Sequence, residues 1–220
     1  VDGSECSHKA ENVLGPLSFA SGRRAEHHVC LPVGTGRDGF NGHRIYGAFS
    51  YLVDGDYLIW LDDDNSLEPN HISSLVDLVE NENLDWAYSL RRIIDKSGEF
   101  VCYDDCESLG IWKSVLKDYF IDLNCFFVKR ELAVKLSPVW YRKARQPGVV
   151  EVDRAISSIL MDKRNQLAFE CTREYSLNYM VGSTKISVQK EFFLRGNQVM
   201  LASYAGQLPW RLKRRDNFER

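Results

Sequence analysis

Three consecutive aspartates, Asp62, Asp63 and Asp64, stand directly after the apolar run DYLIWL (56–61). Carboxylates crowded at one point repel one another, so ionising all three is costly unless a cation or hydrogen-bond donors compensate. Hard divalent cations such as Mg²⁺ and Mn²⁺ take oxygen ligands and often bind through one or two carboxylates plus substrate phosphates. A metal held there would neutralise a departing diphosphate. The residues alone equally allow an acidic turn that caps the helix after it. A second acidic group, Glu151 and Asp153 in VVEVDRAISSIL, suits a plain helix start, where the dipole favours negative charge.

The elements that must position these groups follow from periodicity. HHVCLPV (27–33) reads as a strand ending at the turn GTGRDG. From Phe40 the spacing of Ile45, Ala48, Phe49 and Leu52 predicts a helix. The continuous apolar run 56–61 reads as a buried parallel strand, whose carboxyl end would open onto a ligand crevice. Pro69 then starts a helix with Ile72, Leu75, Val76 and Val79 on one face. Strand, helix, strand, helix in this order predicts an α/β fold with a parallel sheet. In the second half, DWAYSLRRIIDKSGEFV predicts two strands around Lys96-Ser97-Gly98. LNCFFVKRELAVKL predicts an apolar run and a short helix, and DRAISSILMDKRN a helix with Ala155, Ile156, Ile159 and Leu160 inward. AFECTREYSLNYMV reads as extended. No internal repeat or long linker divides the 220 residues, so a single domain is expected. Its halves would be about 1–85 and 86–205, followed by a basic tail at 206–220.

Composition removes several classes. A formal net charge of -3 gives no basis for a nucleic-acid partner, which normally needs a basic excess. The six cysteines (Cys6, Cys30, Cys102, Cys106, Cys125, Cys171) make no zinc spacing. In a chain of this size they read as reduced thiols, which points to a cytoplasmic setting. No apolar run approaches the roughly 18 residues of a membrane span. The tail WRLKRRDNFER, with Trp210, Leu212 and five basic residues from Arg211 onward, would suit peripheral docking on an anionic membrane face, or a solvated end. His27 and His28 are adjacent in a strand and point to opposite faces, which does not make a metal site. GTGRDG lacks the Lys-Ser/Thr ending of a phosphate-binding P-loop.

GDYLIWLDDDNSLEPNHI resembles the D-x-D region of family 2 glycosyltransferases, where a strand ends in acidic residues and a Pro-started helix follows. VDGSE resembles the family's Asp-Gly-Ser turn, and GRDGFNGHR its polar segment near the nucleotide. IDLNCFFVKREL is similar to the acceptor-side strand and helix, and VVEVDRAISSIL to the motif that supplies the base. These matches run in the family's order over about residues 1–180. The resemblance implies a GT-A, Rossmann-like fold with a mixed, mostly parallel sheet flanked by helices. The family's opening strand would be missing, because the chain starts within VDGS.

The implied activity is metal-dependent transfer of a sugar from a nucleotide-sugar donor, a UDP- or GDP-sugar, to an acceptor hydroxyl with inversion. The acceptor would be a glycan, a lipid-linked molecule or a small molecule. The resemblance assigns the donor to Asp2, Asn41, Arg44, Asp62 and Asp63. It assigns Mn²⁺ or Mg²⁺ to Asp64 and Asp62, and the base to Asp153 or Glu151. Two other functions are compatible with parts of the sequence. One is a non-catalytic nucleotide-sugar-binding fragment. The other is a phosphatase of the haloacid-dehalogenase type, with D-x-D-x-[ST] at 62–66, but no Gly-Asp-x-x-x-Asp follows Asp62 to complete it.

Overall fold

A computed structural model of the chain describes residues 42–142, 151–183 and 187–212, together with positions 29, 31, 35 and 40. Most of the strand expected at 27–33, the VDGSE turn and most of GTGRDG lie outside the described residues. The chain divides into two compact units. One comprises Val1–Asp54 and Ala133–Val152, the other Gly55–Leu132 and Asp153–Arg220.

In the first unit, the helical spacing after Phe40 is realised as α1 (His43–Phe49). Gly47 sits against the Ser137–Trp140 turn, where an added Cβ would lie 2.9 Å from the Ser137 carbonyl oxygen. The Ser137 hydroxyl donates to the Gly47 carbonyl at 3.1 Å. Trp140 packs edge-on against Tyr46, with ring centroids 5.5 Å apart.

The second unit is built on a mixed sheet of β1 (Tyr57–Leu58), β2 (Ser66–Leu67), β3 (Trp86–Ile94), β4 (Phe100–Tyr103), β5 (Phe126–Lys129) and β6 (Phe169–Met180). The strand order is β1-β5-β3-β6-β2, with β4 also paired to β3. Among the described residues only β3–β6 is parallel, and every other pairing is antiparallel. The expectation of a mostly parallel, Rossmann-like sheet is therefore overturned. The run 56–61 gives a ladder of only two residues, antiparallel to β5. A continuous apolar run marks burial on both faces and carries no information about strand direction.

Other expectations are met. Helix α2 (His71–Glu82) follows Pro69 and Asn70 and is closed by Asn83 in the left-handed conformation, φ 50°. Its inward face is Leu75, Leu78 and Val79, which join Leu84, Ala87 and Phe127 in one core cluster. Ile72, expected on that face, is 46% exposed. β3 and β4 form the expected hairpin, with Gly98 at φ 84° and the Asp95 carboxylate accepting from the Ser97 amide at 2.8 Å. Helix α3 (Arg130–Trp140) follows β5, and α4 (Glu151–Met161) precedes β6. Trp86 at the head of β3 stacks on Phe169 at the head of β6, with centroids 4.2 Å apart.

Helix α5 (Lys190–Ser203) is followed by a short 3-10 turn at Pro209–Arg211. Trp210 is fully buried there, and its indole N–H donates to Asp105 at 2.8 Å. Arg211 pairs with the same carboxylate. These two residues are committed to the fold and are not presented as surface anchors. Residues 213–220 lie outside the described residues.

Gly110 tests how closely the long β4–β5 connection is packed. It sits at φ 66°, and an added Cβ would lie 2.2 Å from the buried hydroxyl of Tyr88. That hydroxyl donates to the Leu109 carbonyl and accepts from the Ile111 amide, each at 3.3 Å. Gly98 also has positive φ, but has nothing within 4 Å of an added Cβ. Gly98→Ala is expected to cost about 1–2 kcal/mol from backbone strain alone. Gly110→Ala should cost about 1–3 kcal/mol more from overpacking. Urea unfolding midpoints of the two variants check the difference.

Candidate functional site

The candidate site lies in the second unit, where the loop between β1 and β2 carries the three aspartates. Asp63 and Asp64 are exposed and Asp62 is half-buried. The loop is pinned at both ends. The Asp62 amide donates to Asn124 Oδ1 at 2.6 Å, and the Met180 amide at the end of β6 donates to Asn65 Oδ1 at 3.0 Å. Asn65 also turns back to the Asp62 carbonyl at 3.2 Å.

Asn124 is buried in the turn that leads into β5. Its Nδ2 donates to Asp62 Oδ2 at 3.0 Å and to Asp122 Oδ1 at 2.8 Å. Its own backbone amide donates to the same Asp122 oxygen at 3.0 Å. The other Asp122 oxygen accepts from Arg91 of β3 at 2.8 Å.

Arg91 is 1% exposed and meets two further carboxylates, Asp104 at 2.9 Å from Nε and Glu107 at 2.7 Å from Nη2. Its guanidinium lies 4.3 Å from the Tyr179 ring centroid. Burial works against this charge, but Asp104, Asp122 and Glu107 outweigh it and hold the group firmly protonated. Asp104 is also buried, yet Arg91 and the Ser108 and Cys106 amides keep its carboxyl below the usual range.

Arg91 faces three carboxylates, and two acids near them, Asp153 and Asp64, are also shifted. Loss of hydration pushes the Asp153 carboxyl up to about 8, and the charges of Asp122 and then Asp62 add to the rise. Asp64 is also raised, by loss of hydration first and then by Asp62, Asp63 and Asp122. The structure thus brings Asp62, Asp64 and Asp153 into one electrostatic neighbourhood with Asp122. Arg154, next to Asp153 on α4, pairs with Asp118 and lies 3.5 Å from Glu107. It ties the start of α4 to the β4–β5 connection.

The remaining expected residues stand elsewhere. Glu151 is the first residue of α4, and its side chain lies outside the described residues. Asp2 and Asn41 also lie outside the described residues. Arg44 belongs to the first unit, where Nε and Nη2 donate to the Thr35 carbonyl at 3.2 and 2.7 Å. There it lines a groove of about 380 Å³ with Tyr51, Pro138 and Tyr141.

Sequence reasoning assigned no role to Arg91, Asp122 or Asn124. The signal for Arg91 was a charged pair, Arg91-Arg92, inside the apolar strand WAYSLRRII. Successive strand residues face opposite ways, so one of the two had to find carboxylates on an inner face. For Asp122 and Asn124 the signal was the polar D-x-N directly before the run CFFV.

Among the described residues no group of three His, Cys, Asp or Glu side chains is arranged to close around an ion. What is present is an exposed Asp64 beside a half-buried Asp62 in a surplus of negative charge. That donor set fits a cation whose shell is completed by phosphate and water. Among the described residues no helix is long and apolar enough to cross a membrane. The four described cysteines are free thiols, and burial pushes the half-buried Cys102 up to about 11.

Two outcomes follow from these charges. Arg91→Ala leaves the buried Asp104 and Asp122 without their cation and Glu107 with Arg154 alone, and should destabilise the protein by about 3–5 kcal/mol. Arg91→Lys should recover little, because an ammonium cannot form the same fork. Urea unfolding of both variants measures this. For Asp153, the folded carboxyl at about 8 contrasts with about 4 in an unfolded chain. Between those values the folded protein holds a proton that the unfolded chain releases, so stability falls as pH rises through the window. Asp153→Asn should melt with the wild type near pH 4 and become progressively more stable than it up to pH 8. The expected gain is about 2–4 °C for each kcal/mol removed, and thermal unfolding across that range reads it.

Residues 24–127 match the family model described as Glycosyl transferase family 2. The matched span holds Arg44, the three aspartates, Arg91, Asp122 and Asn124, and stops before Asp153. No curated protein matches the chain. Over that span the chain is similar to glycosyltransferase family 2.

Proposed function

We propose that the chain transfers a sugar from a UDP- or GDP-sugar to an acceptor hydroxyl with inversion, and that Asp62, Asp64 and Asp153 form the reacting centre. The observation that carries this reading is the electrical contact between the aspartate loop and Asp153. Beyond loss of hydration, the charges of Asp122 and Asp62 raise the proton affinity of Asp153, so the loop is felt at a residue far along the chain.

Asp64 and Asp62 would hold Mn²⁺ or Mg²⁺ together with the donor's phosphates. When bound, the ion supplies charge neutralisation for the leaving diphosphate. Asp63, exposed on the same loop, faces solvent where the donor would enter. Asp153 acts on the acceptor. Its carboxylate takes the hydroxyl proton as the oxygen bonds to the anomeric carbon and the bond to the diphosphate breaks on the opposite face of the sugar. A base with a pKa near the working pH is well matched to this task, since it is partly ionised yet holds a proton strongly. The pH profile should therefore show activity rising as Asp153 loses its proton.

The test is calorimetric titration of UDP and GDP, with and without Mn²⁺, into the wild-type chain, Asp64→Ala and Asp153→Asn. Metal-dependent nucleotide binding should appear in the wild type and weaken at least about 10-fold in Asp64→Ala. Asp153→Asn should still bind nucleotide, while turnover of the matching nucleotide-sugar falls about 10²–10⁴-fold. A folded wild-type chain that binds neither nucleotide would overturn the reading. Binding without turnover would point to a non-catalytic nucleotide-sugar-binding protein.

A further inference from the structure

We propose that Asn124 is the positioning residue of the aspartate loop, setting where Asp62 meets the donor; this inference rests on the donor-site reading above. An asparagine side chain offers one acceptor oxygen and two N–H donors. At Asn124 all are used on two carboxylates and one amide. Oδ1 takes the Asp62 amide, and Nδ2 gives one hydrogen to Asp62 and one to Asp122. Only one orientation of the amide satisfies this set. Turned over, it would aim N–H groups at an N–H and its oxygen at two carboxylates.

Asp62 is therefore held by its backbone and its side chain at once, by a residue 62 positions away. A single contact would leave the loop free to rotate about it, whereas two contacts from one rigid amide fix both position and direction. Asn124 is itself not free to move. Its backbone amide and its Nδ2 share the Asp122 oxygen, and Asp122 is anchored on the buried Arg91. The chain of contacts Arg91–Asp122–Asn124–Asp62 thus runs from a fully buried charge to the half-buried edge of the loop.

The chemistry requires an uncharged residue at this point. An aspartate would accept the Asp62 amide but could not donate to either carboxylate, and would add a third negative charge between them. Alanine would remove the acceptor of the Asp62 amide and one donor each from Asp62 and Asp122, while Asp122 Oδ1 keeps the backbone amide of residue 124; a buried group left without its bond costs about 1–3 kcal/mol. A group that acts through its neighbour in this way is expected to change ligand affinity about 10–100-fold.

The test uses the full chain and two readouts. Hydrogen exchange reads the loop directly. Asn124→Ala should exchange the Asp62 amide and its neighbours through Asn65 at least about 10-fold faster than the wild type, with β3 unchanged. Mn²⁺-dependent nucleotide binding reads the function. Asn124→Ala should weaken it about 10–100-fold, and adding it to Asp62→Ala should cause no further loss, because both changes act through one group. Additive losses, or unchanged exchange at Asp62, would overturn the positioning role. If alanine does not fold, Asn124→Ser is measured in its place. A wild-type chain that binds no nucleotide would overturn the donor-site reading, while the exchange result still decides whether Asn124 holds the loop.

Discussion

The second unit depends on one buried guanidinium. Arg91 is placed by β3 in the interior, where an unpaired charge would cost several kcal/mol. Its five N–H donors demand partners in a plane, and the chain supplies three carboxylates from the long β4–β5 connection, Asp104, Glu107 and Asp122. Those partners come from a segment with little regular structure, and they explain how it stays ordered. Asp104 collects the amides of Cys106, Glu107 and Ser108, and Ser108 in turn accepts the Asp122 amide at 2.9 Å. The Arg91 network thus substitutes for secondary structure in arranging this connection.

The same network sets the electrical character of the site. Loss of hydration first, then nearby carboxylates, make Asp153 and Asp64 retain protons more strongly than they would in water, and Asp122 of this network contributes to both. Burial of charge is a weak source of stability, since well-packed apolar groups often do as well. Its use here is directional. Asp122 gives one oxygen to Arg91 and the other to Asn124, so the position of a core charge is passed on to the aspartate loop. Asp105, the neighbour of Asp104, faces another partner set, Tyr175, Trp210 and Arg211. Two adjacent aspartates therefore tie the same turn to the interior on one side and to the C-terminal segment on the other.

Much of the second unit was legible in the sequence because it rests on local signals. The periodicity of His71–Glu82, the Lys96-Ser97-Gly98 turn and the apolar spacing of Ala155 to Leu160 each reflect geometry a short window can carry. The acidic triplet stood out in the sequence because like charges side by side call for compensation. Strand direction was not legible, since DYLIWL reads the same whichever way its neighbour runs. Trp210 shows a second limit. A tryptophan among basic residues suits a membrane surface, and only tertiary structure reveals that its ring fills the interior against Trp112 and Tyr204.

The overturned sheet direction also accounts for the site residue that was hardest to foresee. In a parallel sheet, groups meet at the carboxyl ends of neighbouring strands, so partners for Asp62 would be sought after other strands. Here β5 runs antiparallel to β1, with Tyr57 opposite Lys129 and Leu58 opposite Val128. Each step forward from β1 is then a step backward from β5, and continuing that register sets Asp62 across from Asn124. On its other side β5 is antiparallel to β3, with Phe126 opposite Tyr88. The same backward steps bring Asp122 alongside Arg91 and Arg92. One short strand, reversed between two neighbours, thus delivers its lead-in residues to the buried cation and to the aspartate loop together. The antiparallel pairing that breaks the expected fold is what builds the contact between Asn124 and Asp62.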